Sequence, residues 1–360
     1  MNIPPGSSPD GLLYVGFNQD QCCFACGTDQ GFRYFTSHSH SSLIFPETFR
    51  RVFSSGGVGI VEMLFRCNLL ALVGGGRSPR WPQNRVMIWD DHQNRCIGEL
   101  SFRGEVKAVR LRRDRVVVAL AQKVYVYRFS DLKLLDQINT SKNDAGLLAL
   151  CADSANMVLA CPGAYRGHVN VELYDLRKST LIPAHESELA ALSLSADGSK
   201  VATASDKGTL IRVFDTSTGM LLQELRRGMD RAAISSICFS PTASHLACCS
   251  DRGTVHIFVL GEKHKAGDQG ADKPKSYTRG GLKYLGDFLP VSVPKFFQSE
   301  YSFAQVRGVE SRSICAFGDK VLINLTWFVL FCQICFLSCV SNAGYAAHCE
   351  RRLFISDCKI

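Results

Sequence analysis

The sequence predicts an all-β fold, a ring of repeated antiparallel blades, and three observations predict it. One unit recurs: an apolar strand, a polar turn, a second apolar strand, a short turn, and a third strand ending near aspartate. It is clearest in ALSLSADGSKVATASDKGTLIRVFD (191–215) and SICFSPTASHLACCSDRGTVHIFVL (236–260). Ser205 and Ser250 hold the same place in the two copies, 45 residues apart, a period that suits four-stranded propeller blades. Short alternating strands and turn signals run through the chain, and no long amphipathic helical pattern competes with them. Together these specify a seven-bladed WD-type β-propeller whose seventh blade is only partly written.

The units follow in order. YVGFNQDQCCFACGTDQGFRYF (14–35) supplies blade one and VEMLFRCNLLALVGGGRSPRWPQNRVMIWDD (61–91) blade two. VKAVRLRRDRVVVALAQKVYVYRF (106–129) supplies blade three and LLALCADSANMVLACPGAYRGHVNVELYD (147–175) blade four. The two clear copies are blades five and six, and SICAFG (313–318) opens a seventh. The endings Met87-Ile-Trp-Asp-Asp91 and Val213-Phe-Asp215 resemble the Trp-Asp dipeptide of WD repeats. A blade cannot bury both faces alone, so residues 1–318 are expected to form one closed domain. Residues 262–290, rich in Gly and Lys, interrupt the sixth unit as a long loop, of a length that is usually functional or disordered.

After Gly318 the pattern stops, and 319–360 reads as a divergent tail. Within it, 321–340 is a run of twenty residues without formal charge, long enough to cross a bilayer as a helix. An altered end that leaves blade seven incomplete, a membrane anchor, and rough strands that close the ring are the three readings. The broken pattern favours the first.

Of the 360 residues, 46% are hydrophobic and 21% charged, with a formal net charge of +8. That excess suits an acidic partner, nucleic acid or an anionic membrane surface. No aromatic stacking platform at a recognisable spacing supports nucleic acid. The 16 cysteines show no disulfide framework and no secretory signal precedes them, so buried, reduced thiols in the cytosol are expected. Cys23-x-x-Cys26 and Cys332-x-x-Cys335 lack a second pair at zinc spacing, so no metal site is assigned. Gly56-Gly-Val-Gly59 and Gly74-Gly-Gly76 precede no helix and read as turns rather than phosphate loops. No nucleophile elbow or metalloprotease motif is present. The sequence therefore nominates no catalytic residue and no cofactor, and the chain is read as a non-enzyme.

The informative feature is Leu225-Arg226-Arg227-Gly228, between the two clearest units. Neighbouring side chains on an extended segment point to opposite sides, so Arg226 and Arg227 can serve two pockets. Gly228 lets the backbone turn or approach a ligand. Arginine suits phosphate because its planar fork gives two parallel charge-assisted hydrogen bonds. Flanking strands repeat one polar set: Ser205, Lys207, Thr209 and Arg212 in the fifth unit, Ser250, Arg252, Thr254 and His256 in the sixth. His185 stands just before the first set. Hydroxyls with cations are what a phosphorylated inositol ring needs, although Ser-Asp-x-Gly-Thr is also close to the generic strand pair of a WD blade. Lys263, Lys265, Lys273, Lys275, Arg279 and Lys283 of the long loop would face anionic lipid, with Tyr284, Leu285, Phe288 and Leu289 at the interface.

The stretches GFNQD (Gly16), VEMLFRCNLLALVGGG (Val61), VMIWDD (Val86), VKAVRLRRDR (Val106), ATASDKGTLIRVFDTSTG (Ala202), ELRRG (Glu224), SDRGTVHIF (Ser250) and SICAFG (Ser313) resemble the PROPPIN family. These propellers bind polyphosphoinositides, and the metazoan WIPI proteins are especially similar. The family writes Phe-Arg-Arg-Gly where this chain has Leu225-Arg226-Arg227-Gly228. The resemblance implies seven blades and headgroup sites on blades five and six, with Arg226 in one and Arg227 in the other. It implies phosphatidylinositol 3-phosphate or 3,5-bisphosphate as lipid. It also implies an autophagy effector, peripheral on phagophore, endosomal or lysosomal membranes. Asn18 and Asp20 would contribute to binding the autophagy lipid-transfer protein, or simply form a polar turn. The alternative function is a WD-repeat protein-interaction scaffold without lipid binding.

Overall fold

The computed structural model describes residues 11–36, 47–53, 56–261, 299–307 and 313–318, and the backbone of 328–333. Blade one comprises β1 (Leu12–Phe17), β2 (Cys23–Thr28), β3 (Gly31–Thr36) and β4 (Glu47–Val52). Blade two comprises β5 (Gly57–Met63), β6 (Leu69–Gly75), β7 (Arg85–Asp90) and β8 (Arg95–Ser101). Blade three follows with β9 (Ala108–Arg112), β10 (Arg115–Ala119), β11 (Lys123–Arg128) and β12 (Leu134–Asn139). Blade four has β13 (Ala149–Leu150), β14 (Val158–Pro162), β15 (His168–Leu173) and β16 (Lys178–Pro183). Blade five has β17 (Leu189–Leu194), β18 (Lys200–Ser205), β19 (Leu210–Asp215) and β20 (Leu221–Arg226), joined by a fifth strand, β24 (Glu300–Tyr301). Blade six has β21 (Ile234–Phe239), β22 (His245–Ser250), β23 (Thr254–Val259) and β25 (Ala304–Arg307).

Second strands such as Val158–Pro162 are buried throughout, because a neighbouring blade covers each face. They read as unbroken apolar runs for that reason. Outer strands such as Leu134–Asn139 alternate toward water. The recurring aspartate after the third strand closes the next turn: Asp215 Oδ1 accepts from Thr218 N and Ser217 Oγ, both at 2.7 Å. Asp90 Oδ1 likewise accepts from His92 N at 2.9 Å.

The propeller has six full blades among the described residues, not the seven expected. The seventh position holds a two-stranded sheet, β26 (Ser313–Gly318) with β27 (Phe328–Gln333). Alternation and turn signals stop at Gly318, and the uncharged run beyond it contributes one described strand. No helix among the described residues is long and apolar enough to cross a membrane. The long loop lies between β23 and β25, and residues 262–298, with the lysines and apolar residues named above, are outside the described residues, as is most of the tail.

The ring is stitched by the turn between β1 and β2. Gln19 Nε2 donates to Met63 O (2.7 Å) and Leu111 O (3.0 Å), and its Oε1 accepts from Phe65 N (2.8 Å). Gln21 works in the other direction: Nε2 donates to Phe239 O (3.2 Å) and Oε1 accepts from Phe317 N (2.7 Å). Two side chains thus tie blade one to blades two, three and six and to the two-stranded sheet. Beside that seam, Ser235 Oγ donates to Ser313 O at 2.7 Å, and Cys238 Sγ lies 3.6 Å from Cys315 Sγ. Cys23 and Cys26 are both buried in β2, where residues three apart face opposite sides of a strand. Replacing Gln19 and Gln21 together by alanine strands partly buried backbone groups at four neighbours. We expect a loss of about 5 kcal/mol, from roughly 1 kcal/mol for each of five unmade bonds, read as a lower urea midpoint, with Asp20→Ala near wild type.

Candidate functional site: two cationic pockets on blades five and six

Arg226 ends β20, and its neighbours across the sheet are Leu210 on β19 and Tyr301 on β24. Leu225 before it is fully buried among Ile211, Val213 and Leu246, anchoring the pair from the core. The two guanidinium side chains follow the strand's alternation, and both residues are buried, each 8% exposed. Arg226 Nε donates to Ser299 Oγ at 2.8 Å. Arg227 Nε donates to Gly208 O at 2.8 Å, and its Nη2 donates to Asp230 O.

The first pocket is built on blade five. Thr203 stands opposite Arg212, which stands opposite Glu224. By the two-residue period, Ser205 and Arg226 share that face. His185, in the segment leaving blade four, sets Nε2 2.9 Å from Thr203 Oγ1. Burial, reinforced by Arg212, pulls the His185 ring down to about 4, so it is neutral at pH 7. Arg212 is committed: Nε pairs with Glu224 Oε2 at 2.9 Å and Nη1 donates to Ala184 O at 2.6 Å.

The second pocket is built on blade six. Here Cys248 stands opposite His256, which stands opposite Gln305. The turn is one residue shorter than in blade five, so His256, not Ile257, takes the place of Arg212. Burial, then Arg227 and Arg307, pull His256 down to about 4. Burial also lowers Arg227 from the usual arginine value, and Arg252 acts in the same sense. Arg252 donates from Nε (3.1 Å) and Nη2 (2.8 Å) to Arg231 O. Arg227 and Arg252 therefore spend these hydrogen bonds on neutral carbonyls. Ser250 is buried beside them, and its Oγ accepts from Arg252 N at 3.4 Å.

The remaining sequence candidates fall around these pockets. Lys207 is exposed at the rim and Thr209 half-buried, its carbonyl accepting from Arg227 N at 3.0 Å. Thr254 is half-buried and pairs across the sheet with Arg307. At Gly228 an added Cβ would meet nothing within 4 Å, so the space beside the arginine pair is open. Asn18 and Asp20 lie elsewhere, on the turn of blade one. Asn18 is buried, donating to Phe65 O (3.1 Å) and accepting from Cys23 N (3.0 Å). Asp20 pairs with Arg66 at 2.9 Å. Sequence reasoning missed Thr203, Ser299 and Ser302. Thr203 was within reach, two residues from Ser205 on the same face. The serines follow the long loop and carry no local signal.

Comparison with known proteins decides the family. A profile of the PROPPIN family matches residues 11–325. The chain belongs to the PROPPIN family. Among PROPPIN relatives, Autophagy-related protein 18e of Arabidopsis thaliana is 38% identical over 319 residues, 87% of this chain and 80% of that protein. Autophagy-related protein 18 of Dictyostelium discoideum is 33% identical over 92% of this chain and 91% of its own length. The solved structure of Hsv2 from Kluyveromyces lactis superposes with a TM-score of 0.66 at 24% identity, covering 89% of this chain and 90% of that one, a likeness of fold.

Proposed function

We propose that this PROPPIN is a non-catalytic autophagy effector that docks on membranes by gripping the headgroups of phosphatidylinositol 3-phosphate or 3,5-bisphosphate. The observation that carries the proposal is the arginine pair. Arg226 and Arg227 are buried where blade five runs on toward blade six, Arg226 Nε bonded to a hydroxyl and Arg227 to carbonyls. The Arg227 charge, held against carbonyls, is what a phosphate rewards most. Two pockets on one rigid rim raise effective affinity, because the second headgroup binds at high local concentration. The relatives named as autophagy-related support the process. The reading includes peripheral attachment to phagophore, endosomal or lysosomal membranes. It also includes a seventh blade begun by β26 and β27, and contact of the blade-one turn, through Asp20, with the autophagy lipid-transfer protein.

Flotation with liposomes tests it. The intact chain is expected to float only when phosphatidylinositol 3-phosphate or the 3,5-bisphosphate is present, and Arg226→Thr/Arg227→Thr is expected to lose at least about tenfold in affinity, since each charged hydrogen bond contributes roughly 1.5–3 kcal/mol. Equal flotation of both proteins, or none from a folded chain, overturns the proposal and leaves a protein-only scaffold.

A further inference from the structure

Four residues leave the long loop and run back between blades five and six. Glu300 and Tyr301 form β24, pairing parallel with Leu225 and Arg226 of β20. The register is clamped by Gln223 Nε2 donating to Glu300 Oε2 at 2.8 Å. The residues on either side of this short strand are serines, and each reaches a different pocket. Ser299, buried, accepts from Arg226 Nε at 2.8 Å. Ser302 Oγ lies 3.1 Å from His256 Nδ1.

The second contact has a direction. Gln305 Nε2 donates to Ser302 Oγ at 3.1 Å. The Ser302 hydroxyl, already accepting from Gln305, still has its proton to give, and the arrangement we assign gives it to His256 Nδ1. A neutral imidazole that accepts at Nδ1 carries its hydrogen on Nε2. His256 is neutral at pH 7 because burial and the flanking Arg227 and Arg307 disfavour the charged ring. In that arrangement the Gln305–Ser302 relay makes a neutral histidine a hydrogen-bond donor at Nε2, the form an anionic oxygen requires. On the other side, Ser299 fixes the plane of the Arg226 guanidinium, whose fork must be oriented to bind phosphate bidentately.

We propose that Ser299 and Ser302 are positioning residues of the two headgroup pockets, Ser299 acting through Arg226 and Ser302 through His256. This rests on the lipid reading above and assigns one stem serine to each pocket. Structural support alone would make each serine matter equally to both pockets. The proposed roles make each matter to one.

The test isolates the pockets in the intact chain. Arg227→Thr leaves the Arg226 pocket, and Arg226→Thr leaves the His256 pocket. Soluble inositol 1,3-bisphosphate is titrated calorimetrically into each background. Ser299→Ala is expected to weaken binding by about fivefold in the Arg227→Thr background, and Ser302→Ala by a similar factor in the Arg226→Thr background, from the loss of one oriented hydrogen bond. Each is expected to leave the other background unchanged. Ser302→Thr, which keeps the hydroxyl, should restore affinity. In parallel, the ring nitrogen resonances of 15N-labelled His256 should report the Nε2–H tautomer in the wild type and a mixture in Ser302→Ala. Equal effects in both backgrounds, no effect in either, or an Nδ1–H tautomer in the wild type overturns the assignment. A folded wild type that binds no headgroup overturns the lipid reading and the pocket roles with it, while the tautomer measurement still decides the relay.

Discussion

Gly208→Ala is expected to cost about 2–4 kcal/mol of stability and to disable the Arg227 pocket. Gly208 sits at φ +62°, where an L side chain is strained by roughly 1–2 kcal/mol. The added Cβ would also stand 1.8 Å from the carbonyl oxygen of Ala232, against an ordinary contact near 3.4 Å. Backbone must move, and overpacking of this kind typically costs about 1–3 kcal/mol. The segment that must yield is 228–233, which connects blade five to blade six. It supplies the Asp230 carbonyl to Arg227 and the Arg231 carbonyl to Arg252. Gly208 O is itself the acceptor of Arg227 Nε. Urea unfolding should show the drop in midpoint, and headgroup titration the lost site, while the Arg226 pocket keeps its Ser299 contact. A variant as stable as wild type with both pockets intact would mean that the connector does not hold Arg227. Gly167 is the counterpart one blade earlier, at φ +72° with its Cβ position 1.9 Å from His185 O. A side chain there should disturb the first pocket instead.

The second large effect is a loss of stability on mild acidification. His185 and His256 are both pulled down to about 4 in the folded chain, against roughly 6.5 when unfolded. Between those values the unfolded chain binds protons that the folded chain refuses, so stability rises with pH across that window. The contribution is complete above pH 6.5 and is lost progressively as pH falls toward 4. At pH 5 each ring costs about 2 kcal/mol relative to pH 7, so the pair costs about 4 kcal/mol. Urea midpoints measured at pH 7 and pH 5 should therefore differ strongly in the wild type. In His185→Gln/His256→Gln the difference should shrink to what the remaining groups supply, the carboxylates and His245, which burial also lowers. An unchanged slope in that variant would show that these rings titrate normally.

The sequence made the repeated blades legible because each second strand is covered on both faces and third strands such as Arg85–Asp90 and Leu210–Asp215 end in a turn-capping aspartate. Both are local patterns that recur at a fixed spacing. The arginine pair was legible for a similar reason: two adjacent cations on an extended strand must face different ways. What escaped is non-local. Ser299 and Ser302 enter the pockets by parallel pairing of β24 with β20, after an insertion that separates them from their partners. The one-residue difference between the turns of blades five and six, which puts His256 in the place of Arg212, shows only in the cross-strand register. At the first turn, Asn18 and Asp20, named from the resemblance, bond to blade two, while the bonds that reach blades three and six and the two-stranded sheet belong to Gln19 and Gln21, whose neutral amides carry no compositional signal. The seventh blade could not be read beyond Gly318 because the apolar run there fits a strand and a helix equally well.

The Gln21 clasp has a kinetic consequence. Its bond to Phe317 joins residues 296 positions apart, and closing so long a loop costs entropy that is repaid only when both ends are already structured. Blades two to six can assemble from near-neighbour contacts as the chain leaves the ribosome, N-terminal units first. Blade one must wait for Phe317, made 296 residues later, before its turn finds its final partners. Closure is thus the late step of folding, and opening at the same place is the early step of unfolding. Substitutions at Gln21 should act mainly on the unfolding rate and leave the refolding rate nearly untouched, so that the lifetime of the native ring, more than the speed with which it forms, is set at this one turn.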